Sequence, residues 1–492
     1  RASAAWTRTM SDTPPIKPER TERPARGERP DPLRLQAALR TVQATVSQRI
    51  SGRVSELTGL VLRATAPGAR IGELVAIDRL SEPIDPEPQS SSQPSWRKGA
   101  VGETPLYAEV VGFRGEEVVL LPLGAVAGVG PNSVVRPTGM PLTILAGTPL
   151  LGRVIDAYGE AMDDGPALSS LATELIPIPV ERDAPEPLRR RRITEPLPFG
   201  LRAIDGCLSI GQGQRIGLFA GPGLGKSTLL GQIARNASSD VTVIGLIGER
   251  GREVRDFIDR ELDDETRSRT VVVCATSDQP PLLRLKAALS ATAIAEHFRD
   301  RGKKVLLLVD SLTRVARAQR EVGLAAGELP ARQGYPPSVF ALLPRLLERT
   351  GQGEFGSITA VYAVLVTGSG DDVDDIIAEE VRATLDGHIE LSRSLAERGH
   401  YPAIDVLRSL SRVMDDIVDG SQRQAAARLR ELLALSERQR ELVLLGAYQR
   451  GTDPATDEAL HKLPAIEAFL RQGRHERSDL AETRRRLISL IS

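Results

Sequence analysis

Residues 220–230 read AGPGLGKSTLL, a Gly-rich turn ending in Lys226-Ser227-Thr228, and this stretch decides the fold. It follows the apolar run 215–220 (RIGLFA) and precedes a run of helical character. Gly221, Gly223 and Gly225, with Pro222 and Leu224 between them, let successive backbone N–H groups turn inward around a phosphate chain. Lys226 can reach terminal phosphates, the Ser227 hydroxyl can ligate a magnesium ion, and Thr228 continues the cradle into a helix whose positive end faces the anion. The strict phosphate-loop pattern has Gly six residues before the lysine, where this chain has Ala220. The bland reading, an ordinary Gly-rich strand-to-helix turn, is disfavoured because Gly-Lys-Ser in this context rarely arises otherwise.

Two carboxylates downstream fit the same chemistry. The run 303–311 (KKVLLLVDS) has the character of a buried strand ending in Asp310, placed to hold the metal ion directly or through water. The run 245–254 (GLIGERGREV) sets Glu249 at the end of another strand, where it can orient a water and take its proton. Its other reading is a capping or salt-bridged acid beside Arg250 and Arg252. Strand-like runs at 242–247, 270–275, 305–309 and 358–366 alternate with helical ones from Gly200 to about Arg412, predicting a parallel sheet covered by helices. Beyond Met414 the pattern is helical, with leucines at helical spacing over 425–445.

The chain of 492 residues suggests about two to four domains. Its 41% hydrophobic and 26% charged content is globular, and 3% aromatic content predicts an aliphatic core. With 64 Lys+Arg against 65 Asp+Glu, no global field draws in nucleic acid. Cys207 and Cys274 have no metal-ligand spacing and read as reduced, buried thiols of a cytoplasmic protein. No apolar run approaches a membrane span and no signal-peptide core is evident, so any membrane association is expected to be peripheral. The chain starts at Arg1, and Met10 is a candidate start if the sequence is not a fragment.

Residues 1–34, of which 1–32 are rich in Pro, Arg and Glu, are expected to be disordered. Leu35, Leu39, Val42 and Val46 then form a short amphipathic helix that needs a partner, either its own domain or another chain. The Gly-punctuated runs at 52–54, 59–63, 71–77, 107–113 and 117–121 predict a small β-barrel within a domain spanning 35–138. The Pro- and Ser-rich 81–98, with Trp96, reads as an exposed insertion. The run Arg189–Arg192 could be an anion site; without interleaved aromatics a solvated loop is preferred.

The stretches 221–235, 247–258, 275–349 and 385–414 (LDGHIELSRSLAERGHYPAIDVLRSLSRVM) together resemble the bacterial type III secretion ATPases. That family includes the flagellar export ATPases and is related to the catalytic subunits of rotary ATP synthases. The resemblance implies an N-terminal β-barrel, a RecA-like P-loop ATPase core over 139–415 and a C-terminal α-helical domain over 416–492, using ATP and Mg2+. It implies that Lys226 and Ser227 act in the phosphate loop, that Glu249 is the base, and that Tyr401 packs against adenine. It also implies that Arg412 reaches the neighbouring subunit's γ-phosphate. A finger supplied in trans completes the site only when a ring assembles.

Further implications are a homo-hexamer with residues 328–336 near its channel, stalk and regulator subunits, chaperone–effector complexes at the C-terminal helices, and peripheral association with the inner membrane. The tracts 311–338, 446–460 and 469–473 resemble the injectisome branch more than the flagellar one. The acidic run 368–375 (GSGDDVDD) departs from relatives and, lacking calcium-loop spacing, reads as a solvated loop. Flagellar export is the closest alternative; a rotary synthase subunit ranks below it, and a non-catalytic one is expected to lack Glu249. A hexameric RNA translocase is disfavoured because Tyr107 and Phe113 stand in the barrel without a basic aromatic cluster.

Overall fold

The computed structural model describes residues 51–79, 105–171, 173–366, 375–445 and 447–492. The expected N-terminal helix, the 81–98 insertion and the acidic run up to residue 374 lie outside the described residues. The first strands close on themselves: β1 (Gly52–Thr58), β2 (Val61–Thr65), β3 (Glu73–Ile77), β4 (Leu106–Arg114), β5 (Glu117–Pro122) and β6 (Val134–Pro141) form a barrel in the order β1-β2-β5-β4-β3-β6. Alternation makes this possible, since Leu62, Ala64, Val75 and Ile77 point inward between partly exposed neighbours and bury a small aliphatic core. Strand β6 has no counterpart among the sequence expectations. Its VVRPTGMP carries two prolines, which argue against a strand, yet it pairs with both β1 and β3.

A two-stranded sheet, β7 (Thr143–Ala146) with β9 (Ile176–Pro179), leads into the core. The large sheet comprises β8 (Val154–Ile155), β10 (Arg215–Ala220), β11 (Val241–Glu249), β12 (Thr270–Thr276), β13 (Lys304–Asp310), β14 (Gly351–Gln352), β15 (Ser357–Leu365), β16 (Gly387–Glu390) and β17 (Leu410–Ser411). Its order is β17-β16-β10-β15-β13-β11-β12-β8, parallel from β16 to β8 and antiparallel at β17. Buried on both faces, β11, β13 and β15 are near-continuous apolar runs.

One face is covered by α2 (Pro281–Arg299) and α3 (Leu312–Ala325). The other is covered by α1 (Lys226–Asn236), which starts at the phosphate loop, and the C-terminal helices α4 (Gly420–Leu444), α5 (Pro454–Leu470) and α6 (Leu480–Ile491) join the apolar core on that side, packed on one another and on the short helix Arg202–Cys207. Helix α2 is buried on nearly every side, and its middle, from Ala287 to Ala295, is apolar or small on every face. Cys207 and Cys274 are free and buried in this core. Among the described residues no helix is long and apolar enough to cross a membrane.

The barrel is fastened to the core by a buried ion pair with a third, exposed carboxylate beside it. Lys286 of α2, 3% exposed, lies 2.5 Å from Glu109 of β4 and 2.6 Å from Glu181 after β9. The arginine run is also a fastening. Arg190 donates to the carbonyl of Thr350 at 2.7 Å and Arg191 to that of Gly353 at 3.3 Å, so these two stitch the linker to the turn before β15, while Arg189 and Arg192 stay exposed.

Candidate functional site

Parallel strands deliver their carboxyl ends to one edge, and the chemistry gathers there. At the end of β10 the chain turns through 221–225 into α1. Gly225 sits in the left-handed region (φ 88°) as the residue before the helix, a conformation that favours glycine. Gly221 is half-buried, Pro222 and Gly223 are exposed, and Leu224 is buried as the anchor of the loop. The side chains of Ser227 and Thr228 lie in the first turn of α1, Ser227 exposed and Thr228 half-buried, beside N–H groups that lack helical partners.

Lys226 bridges the two predicted acids. Its ammonium contacts the carboxylate of Asp310, the last residue of β13, and lies 3.7 Å from Glu249, the last residue of β11. Both acids are buried, Glu249 at 9% exposed and Asp310 at 3%. A register irregularity between Ile247 and Glu249 turns the end of β11 toward this point. Gly248 makes it possible, with φ 70° and no room for a Cβ, which would stand 2.9 Å from the Cδ of Arg314.

Arg314, in the first turn of α3, forms an ion pair with Glu249 and is the site residue that sequence reasoning missed. A signal was available: it stands four residues after the strand-end acid, one helical turn along, and so returns to the same edge. Burial pushes the Glu249 carboxyl up, but Arg314 and Lys226 outweigh it and hold it below its ordinary value. Burial raises the Asp310 carboxyl, with Glu249 adding to the rise and Lys226 opposing it. The four groups balance, two cations against two anions.

Tyr401 borders the loop. It is 48% exposed, and a methyl group at Gly225 would lie 3.9 Å from its Cε1. Its carbonyl accepts from the N–H of Gln472 at 3.0 Å, so the C-terminal segment flanks the same corner. That segment also meets α1, where the Gln232 amide donates to the carbonyls of Gly473 and Arg474 at 3.0 and 3.1 Å, while Glu261 pairs with Arg235 at 2.9 Å and Arg474 at 2.6 Å.

Arg412 is not brought to this cluster. It follows β17, whose Ser411 pairs with Gly387 at the start of β16, and its N–H donates to the Asp386 carbonyl at 3.0 Å. Asp386 in turn bonds Arg215 at the start of β10. The loop is at the other end of that strand, about 17 Å away at ~3.3 Å per residue. Arg412 is exposed, and its guanidinium makes no hydrogen bond or ion pair with the described residues. It cannot serve the site of its own chain.

The donor set is chemically specific. A hydroxyl (Ser227) and two carboxylates (Asp310, Glu249) beside a phosphate loop suit a hard, oxygen-loving cation such as magnesium, which takes few protein ligands. No group of three or more His, Cys, Asp or Glu that could cage a metal occurs among the described residues. A phosphate cradle, a lysine, and strand-end acids on a parallel sheet define a P-loop nucleotide hydrolase.

Comparison with known proteins carries this further. Residues 200–411 match the ATP synthase alpha/beta family nucleotide-binding domain, 54–139 its beta-barrel domain, and 418–489 the T3SS EscN ATPase C-terminal domain. The chain is 46% identical over 458 residues to the flagellum-specific ATP synthase of Bacillus subtilis, covering 93% of this chain and 99% of the relative. It is 48% identical over 447 residues to the type 3 secretion system ATPase of Pseudomonas syringae pv. tomato, covering 90% and 94%. The structure of assembled EscN from the enteropathogenic E. coli type III secretion system superposes with a TM-score of 0.79 at 42% identity, covering 90% of this chain and all (100%) of that one. A second EscN structure, in complex with its central stalk EscO, gives 0.78 at 41% identity, with the same coverage of 90% and 100%. The chain belongs to the ATP synthase alpha/beta family and, within it, is an ATPase of the type III secretion and flagellar export group.

Proposed function

We propose that this chain works as a homo-hexameric ring of the injectisome branch, coupling ATP hydrolysis to release, unfolding and export of secreted proteins. A flagellar export ring is the alternative, favoured by the longer match to the Bacillus subtilis enzyme, 458 residues against 447. In this reading the barrel domain spans 35–138, the ATPase core 139–415 and the C-terminal helical domain 416–492, with residues 1–34 as an extension.

The single observation that carries the ring is the separation of Arg412 from Lys226, Glu249 and Asp310 by the length of β10. In this reading the exposed Arg412, out of reach of its own loop, serves the loop of a neighbour. The backbone of 221–228 and Lys226 hold the phosphates, and Tyr401 stacks on the adenine. Ser227 and Asp310 would hold a magnesium ion, which would supply neutralisation of the phosphate charge. Glu249, ionised at neutral pH, accepts a proton from the attacking water as its oxygen bonds the γ-phosphorus. The bond from that phosphorus to the bridging oxygen breaks, its electron pair leaving with ADP. The neighbour's Arg412 stabilises the charge that builds on the transferring group.

The stalk named with EscN supports a stalk subunit in this chain's ring as well. Chaperone–effector complexes at the C-terminal helices, a regulator on the N-terminal helix and peripheral seating at the inner membrane complete the proposal; nucleic acid has no part in it. The test is specific activity against protein concentration. A site completed between subunits gives a steep rise per mole of chain, and a flat line refutes the shared site.

A further inference from the structure

The residues that hold Arg412 in place are themselves informative. Strand β17 is two residues long and, among the described residues, pairs only with β16, which by itself is a weak mounting for a side chain that must meet a partner accurately. Beneath it lies Gln214, 0% exposed. Its amide NH2 donates at 3.0 Å to the Asp386 carbonyl and at 3.0 Å to the Ser411 hydroxyl, and its amide oxygen accepts from the N–H of Gly211 at 2.8 Å. The Asp386 carbonyl is the same oxygen that accepts from the Arg412 N–H. Ser411 in turn donates to the Ser209 carbonyl at 3.0 Å. Next along the chain, the Arg215 guanidinium holds the Asp386 carboxylate with two bonds of 3.0 Å and reaches Glu348 at 2.5 Å.

We propose that Gln214 is a positioning residue for the trans arginine: a buried amide at the foot of β10 that fixes the backbone from which Arg412 projects into the neighbouring site. The proposal rests on the reading of Arg412 as a trans finger. Gln214 touches neither nucleotide nor reacting atoms, and no charge of its own enters the network. A neutral, two-donor side chain suits this place because it satisfies a carbonyl and a hydroxyl together without bringing an ion into the buried foot of the strand. The same strand ends in the phosphate loop, so a defect at Gln214 can act on either of two sites: the chain's own loop, which begins seven residues on, or the neighbour's, through Arg412. Subunit mixing separates them.

The experiment compares Gln214→Leu and Ser411→Ala with Arg412→Ala and Lys226→Ala, each checked for ring assembly by light scattering and for ATP affinity by titration. A misplacement of about 1 Å at an acting group costs roughly a hundredfold in rate, so Gln214→Leu is expected to lose about 10- to 100-fold in kcat with KM within about twofold. Ser411→Ala, which removes one hydroxyl, loses less and guards against failure of the leucine variant to fold. In an Arg412→Ala background neither change slows hydrolysis further, because both act through the arginine. Mixed with Lys226→Ala protein, Gln214→Leu regains activity; mixed with Arg412→Ala protein it does not.

Rescue by Arg412→Ala but not by Lys226→Ala, or a further loss in the Arg412→Ala background, overturns the proposal and assigns Gln214 to its own phosphate loop. Unchanged kcat in both variants also overturns it. If Arg412→Ala hydrolyses normally, or is not rescued by Lys226→Ala, the finger reading itself fails, and this control tells the two failures apart.

Discussion

Replacing Glu249 by Gln removes one negative charge and little volume from a cluster in which Lys226 and Arg314 balance Glu249 and Asp310. The amide oxygen can still face Arg314, so the end of β11 keeps its shape. Turnover is expected to fall by about 10²–10⁴, the range for loss of a general base. Binding should move the other way. The cluster goes from neutral to a net positive charge beside the loop, and one unit of charge acting on a phosphate about 6 Å away is worth about 3 kcal/mol at an effective dielectric of 20. Halved for the solvent that reaches an exposed loop, this still corresponds to about tenfold tighter ATP binding. Titration with a fluorescent ATP analogue and phosphate release at fixed protein concentration read the two quantities separately. Weaker binding with a parallel loss of turnover would refute the reasoning and make Glu249 a structural acid.

Lys226→Ala should abolish hydrolysis and greatly weaken nucleotide binding in the same two assays, and near-normal turnover would remove Lys226 from the site. Lys286→Met strands the buried Glu109, which should destabilise the chain by about 3–5 kcal/mol in urea unfolding at neutral pH. The loss should shrink on acidification, since burial already raises the Glu109 carboxyl and protonation removes the unpaired charge, and adding Glu109→Gln should recover most of it. His297, 3% exposed, has its pKa pushed down to about 4 by burial and by Arg301. Its folded value lies below the ordinary one near 6.5, so its contribution is complete above that pH. The contribution declines by up to about 3 kcal/mol as pH falls toward 4. His297→Gln should flatten the pH dependence of the unfolding free energy over that window by one proton.

The nucleotide site was legible where chemistry is local in the chain. Gly225, Lys226 and Ser227 declare themselves by spacing, and Glu249 and Asp310 by ending apolar runs that become β11 and β13. What escaped was written across long sequence separations. Arg314 is one arginine among many until the fold sets it on Glu249. Arg190 and Arg191 bond carbonyls on a turn far along the chain, so no reading of the run alone could decide between an anion site and a solvated loop. Strand β6 hides behind Pro137 and Pro141, whose cost the closed barrel absorbs, and β17 is too short to carry any period. Tyr401 and Arg412 were assigned by resemblance; their local sequence marks neither.

The segment joining α5 to α6 has a mechanical consequence. Its carbonyls at Gly473 and Arg474 are gripped by Gln232, and the Arg474 side chain by Glu261, so the last helices are laced to the helix that begins at the loop. The tail end of this chain therefore cannot swing as a free appendage. A load applied there passes through polar stitches to Gln232 and Arg235, in the second and last turns of α1, and so to the helix whose first turn borders the phosphate loop.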